Sequence, residues 1–144
     1  MPRRACPILI AEDDPDDQAF IAEAFREIGF EAPVMFVEDG VELIQFLRGE
    51  GPHQDRTLPG LILLDLNMPR MDGRTALVQI KSMREFRRIP IVVFSTSNVE
   101  RDVETTYDLG IASYIPKPSS ADELAEIARM LTSYWSMAVR LPAR

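Results

Sequence analysis

The chain has 144 residues, room for one compact domain with a sizeable core, and 46% of them are apolar, which excludes a disordered chain. The net charge of −7 argues against non-specific nucleic-acid binding, because phosphate contacts need clustered Lys and Arg, though a basic patch on one face stays compatible with it. A single cysteine, Cys6, excludes an internal disulfide, and no apolar run approaches the roughly 20 residues that span a bilayer. Arg3 and Arg4 are followed by too short an apolar stretch for a signal peptide, so the expected location is the cytoplasm, with no membrane partner.

Pro7-Ile8-Leu9-Ile10-Ala11 reads as a short buried strand, with Cys6 a small apolar residue before it. Glu12-Asp13-Asp14-Pro15-Asp16-Asp17 follows. Pro15 suits a helix's first turn and the acids suit the positive end of its dipole. Phe20, Ile21, Ala24, Phe25 and Ile28 recur at helical spacing, and Gly29 is the expected stop. Pro33 to Val37 reads as a second strand. Asp39 is a candidate N-cap for a helix carrying Val41, Leu43, Ile44, Phe46 and Leu47, ended at Gly49. Gly51 to Pro59 is polar, with Gly and Pro breaks, and is expected to be a surface loop holding a solvated His53.

Gly60 to Leu64 runs without polar alternation into Asp65, the pattern of a strand buried on both faces. Asp72 and Gly73 lead into a helix with Ala76, Leu77, Ile80 and Met83. Ile91-Val92-Val93-Phe94 is a fourth buried strand, ending in Ser95-Thr96-Ser97-Asn98. A fourth helix is expected over Val99 to Leu109, and a fifth strand over Ala112 to Ile115, closed by Pro116-Lys117-Pro118. Ser120 with Glu123 forms a capping box for a last helix, expected to run from Ala121 to past Trp135. Strand and helix alternate five times, which gives a doubly wound α/β domain with a five-stranded parallel sheet.

In such a sheet the strand ends share one edge, where ligands and chemistry collect. Strand one brings Glu12 and Asp13 there, strand three Asp65, strand four Ser95 and Thr96, and strand five Lys117. Clustered carboxylates repel one another unless a cation lies among them. An all-oxygen set suits Mg²⁺, and the sequence offers no His/Cys set for zinc. A Mg²⁺-bound Asp beside a Lys and a hydroxyl suits phosphoryl chemistry. The Asp65 carboxylate can attack phosphorus to form an acyl phosphate, and the cation and Lys117 can offset charge on the equatorial oxygens.

Four motifs carry a family resemblance over nearly the whole chain: Leu9-Ile10-Ala11-Glu12-Asp13-Asp14, Leu64-Asp65-Leu66-Asn67-Met68-Pro69-Arg70-Met71-Asp72-Gly73, Phe94-Ser95-Thr96-Ser97 and Tyr114-Ile115-Pro116-Lys117-Pro118. With them the chain resembles a bacterial two-component response-regulator receiver domain. The resemblance implies a flavodoxin-like strand order 2-1-3-4-5 and phosphorylation of Asp65 by a partner histidine kinase. It implies Mg²⁺ held by Asp13, Asp65 and the Asn67 carbonyl, with Glu12 contributing directly or through water. Ser95 and Lys117 become the switch hydroxyl and the phosphate-contacting lysine, and Tyr114 the switch aromatic. Ser95 stands where Thr is commoner in the family, and the hydroxyl is kept. Asp14 fits equally a metal role and a loop acid at a helix start.

Little chain follows the fifth helix, so a stand-alone receiver without an output domain is expected over residues 1–144, with a C-terminal extension at about 131–144. Its Tyr134, Trp135, Met137, Val139 and Leu141 are either the domain's own core or interface anchors. This ending, with the long loop before strand three, is similar to the small regulators paired with phytochrome-type sensor kinases. That likeness implies a homodimer signalling by protein contact or phosphorelay, and no nucleic-acid partner. Two other readings compete. An Asp-nucleophile phosphatase needs a second Asp two residues on, where Asn67 stands and cannot shuttle protons. A purely structural pseudo-receiver would have no need of the full set Asp13, Asp65, Ser95 and Lys117.

Overall fold

The structure is a computed structural model describing residues 6–135 together with Arg140 and Pro142. Five strands, β1 (Ile8–Ala11), β2 (Val34–Val37), β3 (Leu61–Leu64), β4 (Ile91–Ser95) and β5 (Ser113–Pro116), alternate with α1 (Pro15–Glu27), α2 (Gly40–Arg48), α3 (Gly73–Ser82), α4 (Glu100–Asp108) and α5 (Ala121–Ser133). The sheet is wholly parallel in the order β2-β1-β3-β4-β5, the flavodoxin-like receiver topology. The chain turns one way from β1 to reach β2 and the other way to reach β3. The cleft between the ends of β1 and β3 is therefore the switch point at which this topology opens a binding site.

The strands are apolar on both sides because both sides are covered. Leu9, Ala11, Ile62, Leu64 and Val93 face a core built with Leu43, Leu47, Leu77 and Ile80 of α2 and α3. Ile8, Ile10, Leu63, Val92 and Phe94 face Ile21, Phe25, Leu124, Ala128 and Leu131 of α1 and α5. Each fully buried Leu or Ile contributes about 1.5–3 kcal/mol relative to exposure. α4 is different: Thr106 is its one buried residue, and no side chain among the described residues caps its N-terminus. Polar bonds hold it in place of an apolar stripe.

Local signals set the helix starts. Asp14, Asp39, Asp72 and Ser120 each accept a bond from a backbone N–H of the first turn, donated by Asp16, Glu42, Thr75 and Glu123 respectively. Asp14 is thus the cap of α1, which matches the expected acid at a helix start. Pro15 opens α1 as expected.

Three expectations shift. His53 is not a solvated loop residue. A 3-10 turn over Gly51–His53 folds it back onto α2, its ring centroid 5.1 Å from that of Phe46 and its Nε2 3.3 Å from Glu42 Oε2. The fourth helix covers Glu100–Asp108, one residue shorter at each end than expected, since Val99 is extended and serves as the cap position. The regular part of α5 ends at Ser133, and Tyr134 is its C-cap. Tyr134 is 57% exposed, whereas Trp135 packs against the α1–α5 core. Met137, Val139 and Leu141 lie outside the described residues.

Candidate functional site

In-register pairing carries the expected residues to one edge. Ala11 pairs with Leu64, Leu64 with Val93 and Ser95 with Pro116, so the residues that follow these strands emerge together. Backbone bonds extend the alignment past the strands: Asp65 N–H donates to the Ala11 carbonyl (3.1 Å) and Lys117 N–H to that of Ser95 (3.0 Å).

Glu12, Asp13 and Asp65 offer carboxylate oxygens that all lie within 4.8 Å of one another. Glu12 and Asp65 are buried and Asp13 is exposed. Asp65 Oδ1 accepts from Asn67 N–H (3.3 Å) and Oδ2 from Lys117 Nζ (3.1 Å). Glu12 Oε2 accepts from Asp14 N–H (3.1 Å), and Lys117 donates to Glu12 Oε1. Burial pushes the Glu12 carboxyl above its usual pKa, against the pull of its Lys117 bond. Burial alone would lower the Lys117 pKa. The bond to Glu12 and the charge of Asp65 outweigh it and hold the ammonium well above its usual value.

The donor set fits a hard divalent cation. It is all oxygen, it carries three carboxylates against one ammonium, and Asp13 has no bonded partner among the described residues. An ion here would supply charge neutralisation on phosphoryl oxygens.

The loop joining β3 to α3 is fixed by two close approaches. A Cβ on Gly73 would lie 2.2 Å from the Asp65 carbonyl oxygen, and one on Gly40 2.4 Å from the Met71 carbonyl oxygen. Only glycine fits at either position. Arg70 sits in the left-handed region (φ 61) and forks onto Asp39, its Nε 2.7 Å from Oδ2.

Ser95 is fully buried, and its Oγ accepts from Ser97 N–H (3.2 Å). No hydrogen bond joins it to Asp65 among the described residues. Tyr114 is partly buried, and its hydroxyl donates to the Ser97 carbonyl (2.9 Å). The structure thus gathers Glu12, Asp13, Asp65 and Lys117 into one cluster and places Ser95 and Tyr114 on a second, adjoining network.

That second network contains residues the sequence reading missed. Arg74 of α3 forks onto Asp102 of α4 (2.8 and 2.7 Å), and Ser97 Oγ donates to the same carboxylate (2.6 Å). The bonds from Arg74 and then Ser97 hold the Asp102 carboxyl down at about 2. Asp17 was also missed. It reaches Lys117 Nζ (3.2 Å) from the first turn of α1, a position that its spacing of four residues from Asp13 could have suggested.

The response regulator receiver domain family matches residues 8–129. The chain belongs to that family. This receiver is 35% identical over 136 residues to the response regulator Rcp1 of Synechocystis, covering 94% of this chain and 92% of Rcp1. The phosphorylated cyanobacterial phytochrome response regulator RcpA superposes with a TM-score of 0.89 at 38% identity, covering 96% of this chain and 99% of that one. The Mn²⁺-bound form of Rcp1 does so with 0.86 at 34% identity, covering 96% and 99%. The receiver is accordingly a two-component signalling protein, and its cluster of Glu12, Asp13 and Asp65 is consistent with divalent-metal binding. No described helix is long and apolar enough to cross a membrane.

Proposed function

We propose that this receiver accepts a phosphoryl group on Asp65 from a histidine kinase, in a reaction that needs Mg²⁺. The carrying observation is the juxtaposition of Asp65 with Glu12, Asp13 and Lys117. Glu12, Asp13, Asp65 and the Asn67 carbonyl are the proposed ligands, and the bound ion supplies charge neutralisation of the transferring group.

The remaining work falls to the chain. Asp65 Oδ attacks phosphorus, forming the O–P bond of an acyl phosphate as the bond to the donor breaks. Lys117, already charged and 3.1 Å from Asp65, moves its hydrogen bond to a phosphoryl oxygen. Ser95 is the donor to a second oxygen, which requires it to leave Ser97 N–H. Tyr114 then turns toward the space vacated, and the α4 face takes a second arrangement. The protein acts on its own phosphorylation state and on no external substrate.

The kinase we assign is phytochrome-type, on the likeness to RcpA and Rcp1 over nearly the full length of each. Output through protein contact or phosphorelay, a single-domain organisation, a cytoplasmic setting and a homodimer using Tyr134 and its surroundings complete the reading. No nucleic-acid contact belongs to it. Acetyl phosphate with Mg²⁺ is expected to add one phosphate by intact mass, and Asp65→Asn to abolish it. Full labelling of that variant overturns the assignment. Light scattering with and without the phosphodonor reads the dimer: a monomer in both states removes it.

A further inference from the structure

The two ends of the sheet differ in sign. The carboxyl ends of the strands carry Glu12, Asp13 and Asp65, while the amino ends of β3 and β4 open on a cavity of about 580 Å³ edged by Arg56, Arg84, Arg87 and Arg88. Glu85 is the one acid among its described lining residues, and Leu58, Gly60, Ile89, Pro90 and Pro142 give it an apolar lining. The whole chain has 23 acids against 16 bases, so this is a local reversal of its charge balance. Arg84, Arg87 and Arg88 are exposed and have no ion-pair partner among the described residues.

The backbone turn that carries Arg84, Arg87 and Arg88 is held in order. Phe86 and Arg87 N–H groups both donate to the Met83 carbonyl (3.0 and 2.9 Å), and Ile89 N–H donates to that of Phe86 (3.0 Å). Lys81 Nζ donates to the Arg87 carbonyl (3.1 Å), and Phe86 and Ile89 anchor the turn in the core. Arg56 is fixed by its bond to the Leu47 carbonyl (2.9 Å), and its buried Nε has no partner among the described residues. A preordered frame reduces the ordering cost of binding. Guanidinium groups match phosphate, carboxylate and sulfonate geometry by paired bonds. The volume falls in the range of small-molecule sites, and the concavity favours a small ligand over a flat protein surface.

We propose that this cavity binds one small organic anion, with its apolar body on the Leu58–Ile89 floor and its anionic group among Arg84, Arg87 and Arg88. The site is separate from the phosphoacceptor edge and does not depend on it.

The test uses the full chain and the fluorescent anion anilinonaphthalene sulfonate as probe. The natively folded protein is expected to bind one probe saturably, and added salt to weaken the binding. The double variant Arg87→Glu, Arg88→Glu is expected to lose about tenfold or more in affinity. These side chains are exposed and far from Asp65, so circular dichroism and acetyl phosphate labelling are expected to be native. Unsaturable binding, equal affinity in the double variant, or equal binding of the neutral analogue phenylnaphthylamine overturns the proposal. Displacement of the probe by ATP assigns a phosphate head group, and displacement by decanoate a carboxylate. Displacement by neither also overturns it.

Discussion

Lys117 Nζ lies 3.1 Å from Asp65 Oδ2 while it also bonds the buried carboxylate of Glu12. One ammonium therefore serves the phosphoacceptor and the acid beside it, and Asp17 adds a third contact. The cation is in place before any phosphoryl group arrives.

Lys117→Met should leave Glu12 and Asp65 buried beside each other without their cation. Breaking a buried pair from one side costs about 3–5 kcal/mol. The loss should be largest in metal-free buffer and smaller with Mg²⁺, which can replace the missing charge. Urea denaturation with and without Mg²⁺ reads both quantities. A loss that Mg²⁺ leaves untouched would detach Lys117 from the metal cluster. Labelling by acetyl phosphate should fall as well.

Gly73→Ala sets a Cβ 2.2 Å from the Asp65 carbonyl oxygen and 2.9 Å from Leu66 Cα. Both are backbone atoms and neither can swing aside. Overpacking of this kind costs about 1–3 kcal/mol, and backbone displacement makes the upper end the expected value. Asp65 should also move relative to Glu12 and Asp13, so labelling should slow by more than the stability loss explains. A native labelling rate in a folded variant would show that this loop does not position Asp65.

Asp102 gives a pH signature. Its carboxyl is held at about 2 in the folded chain by the Arg74 and Ser97 bonds, below an ordinary unfolded value of about 3.9. The stabilisation is present above the unfolded value and is lost as pH falls through the folded one. Asp102→Asn should cost on the order of 1–2 kcal/mol at neutral pH, allowing for partial screening. The gap between wild type and variant should narrow below pH about 4 and close only below pH about 2. A gap independent of pH would mean that packing, not charge, carries the effect.

The fold was legible because five apolar runs, each bounded by Pro, Gly or a capping acid, left a single reading. Asp14, Asp39 and Asp72 act at short range, and a sequence displays such pairs directly. The metal cluster was legible for a related reason: parallel strands fix which residues share an edge. Arg74–Asp102 was not legible. Its partners are 28 residues apart on two helices, and neither the strand register nor helical periodicity brings them together. His53 was misjudged because a 3-10 turn, not composition, decides that it folds onto Phe46.

Tyr114 tests how the second network holds α4. Its hydroxyl donates to the Ser97 carbonyl at 2.9 Å, and Ser97 Oγ in turn donates to Asp102 at 2.6 Å. Since α4 buries only Thr106, these polar links supply much of what fixes the β4–α4 loop. Tyr114→Phe removes one hydrogen bond, worth about 0.5–1.5 kcal/mol net, and keeps the ring. The loop should then open more often, with hydrogen exchange faster at the backbone amides from Ser97 to Val103. If opening is the arrangement that lets Ser95 leave Ser97 N–H, acetyl phosphate should label the variant faster by roughly 2- to 10-fold, the same free energy expressed as a population. Faster exchange with unchanged labelling would separate loop opening from the Ser95 movement. Unchanged exchange would show that the Arg74–Asp102 fork alone restrains α4.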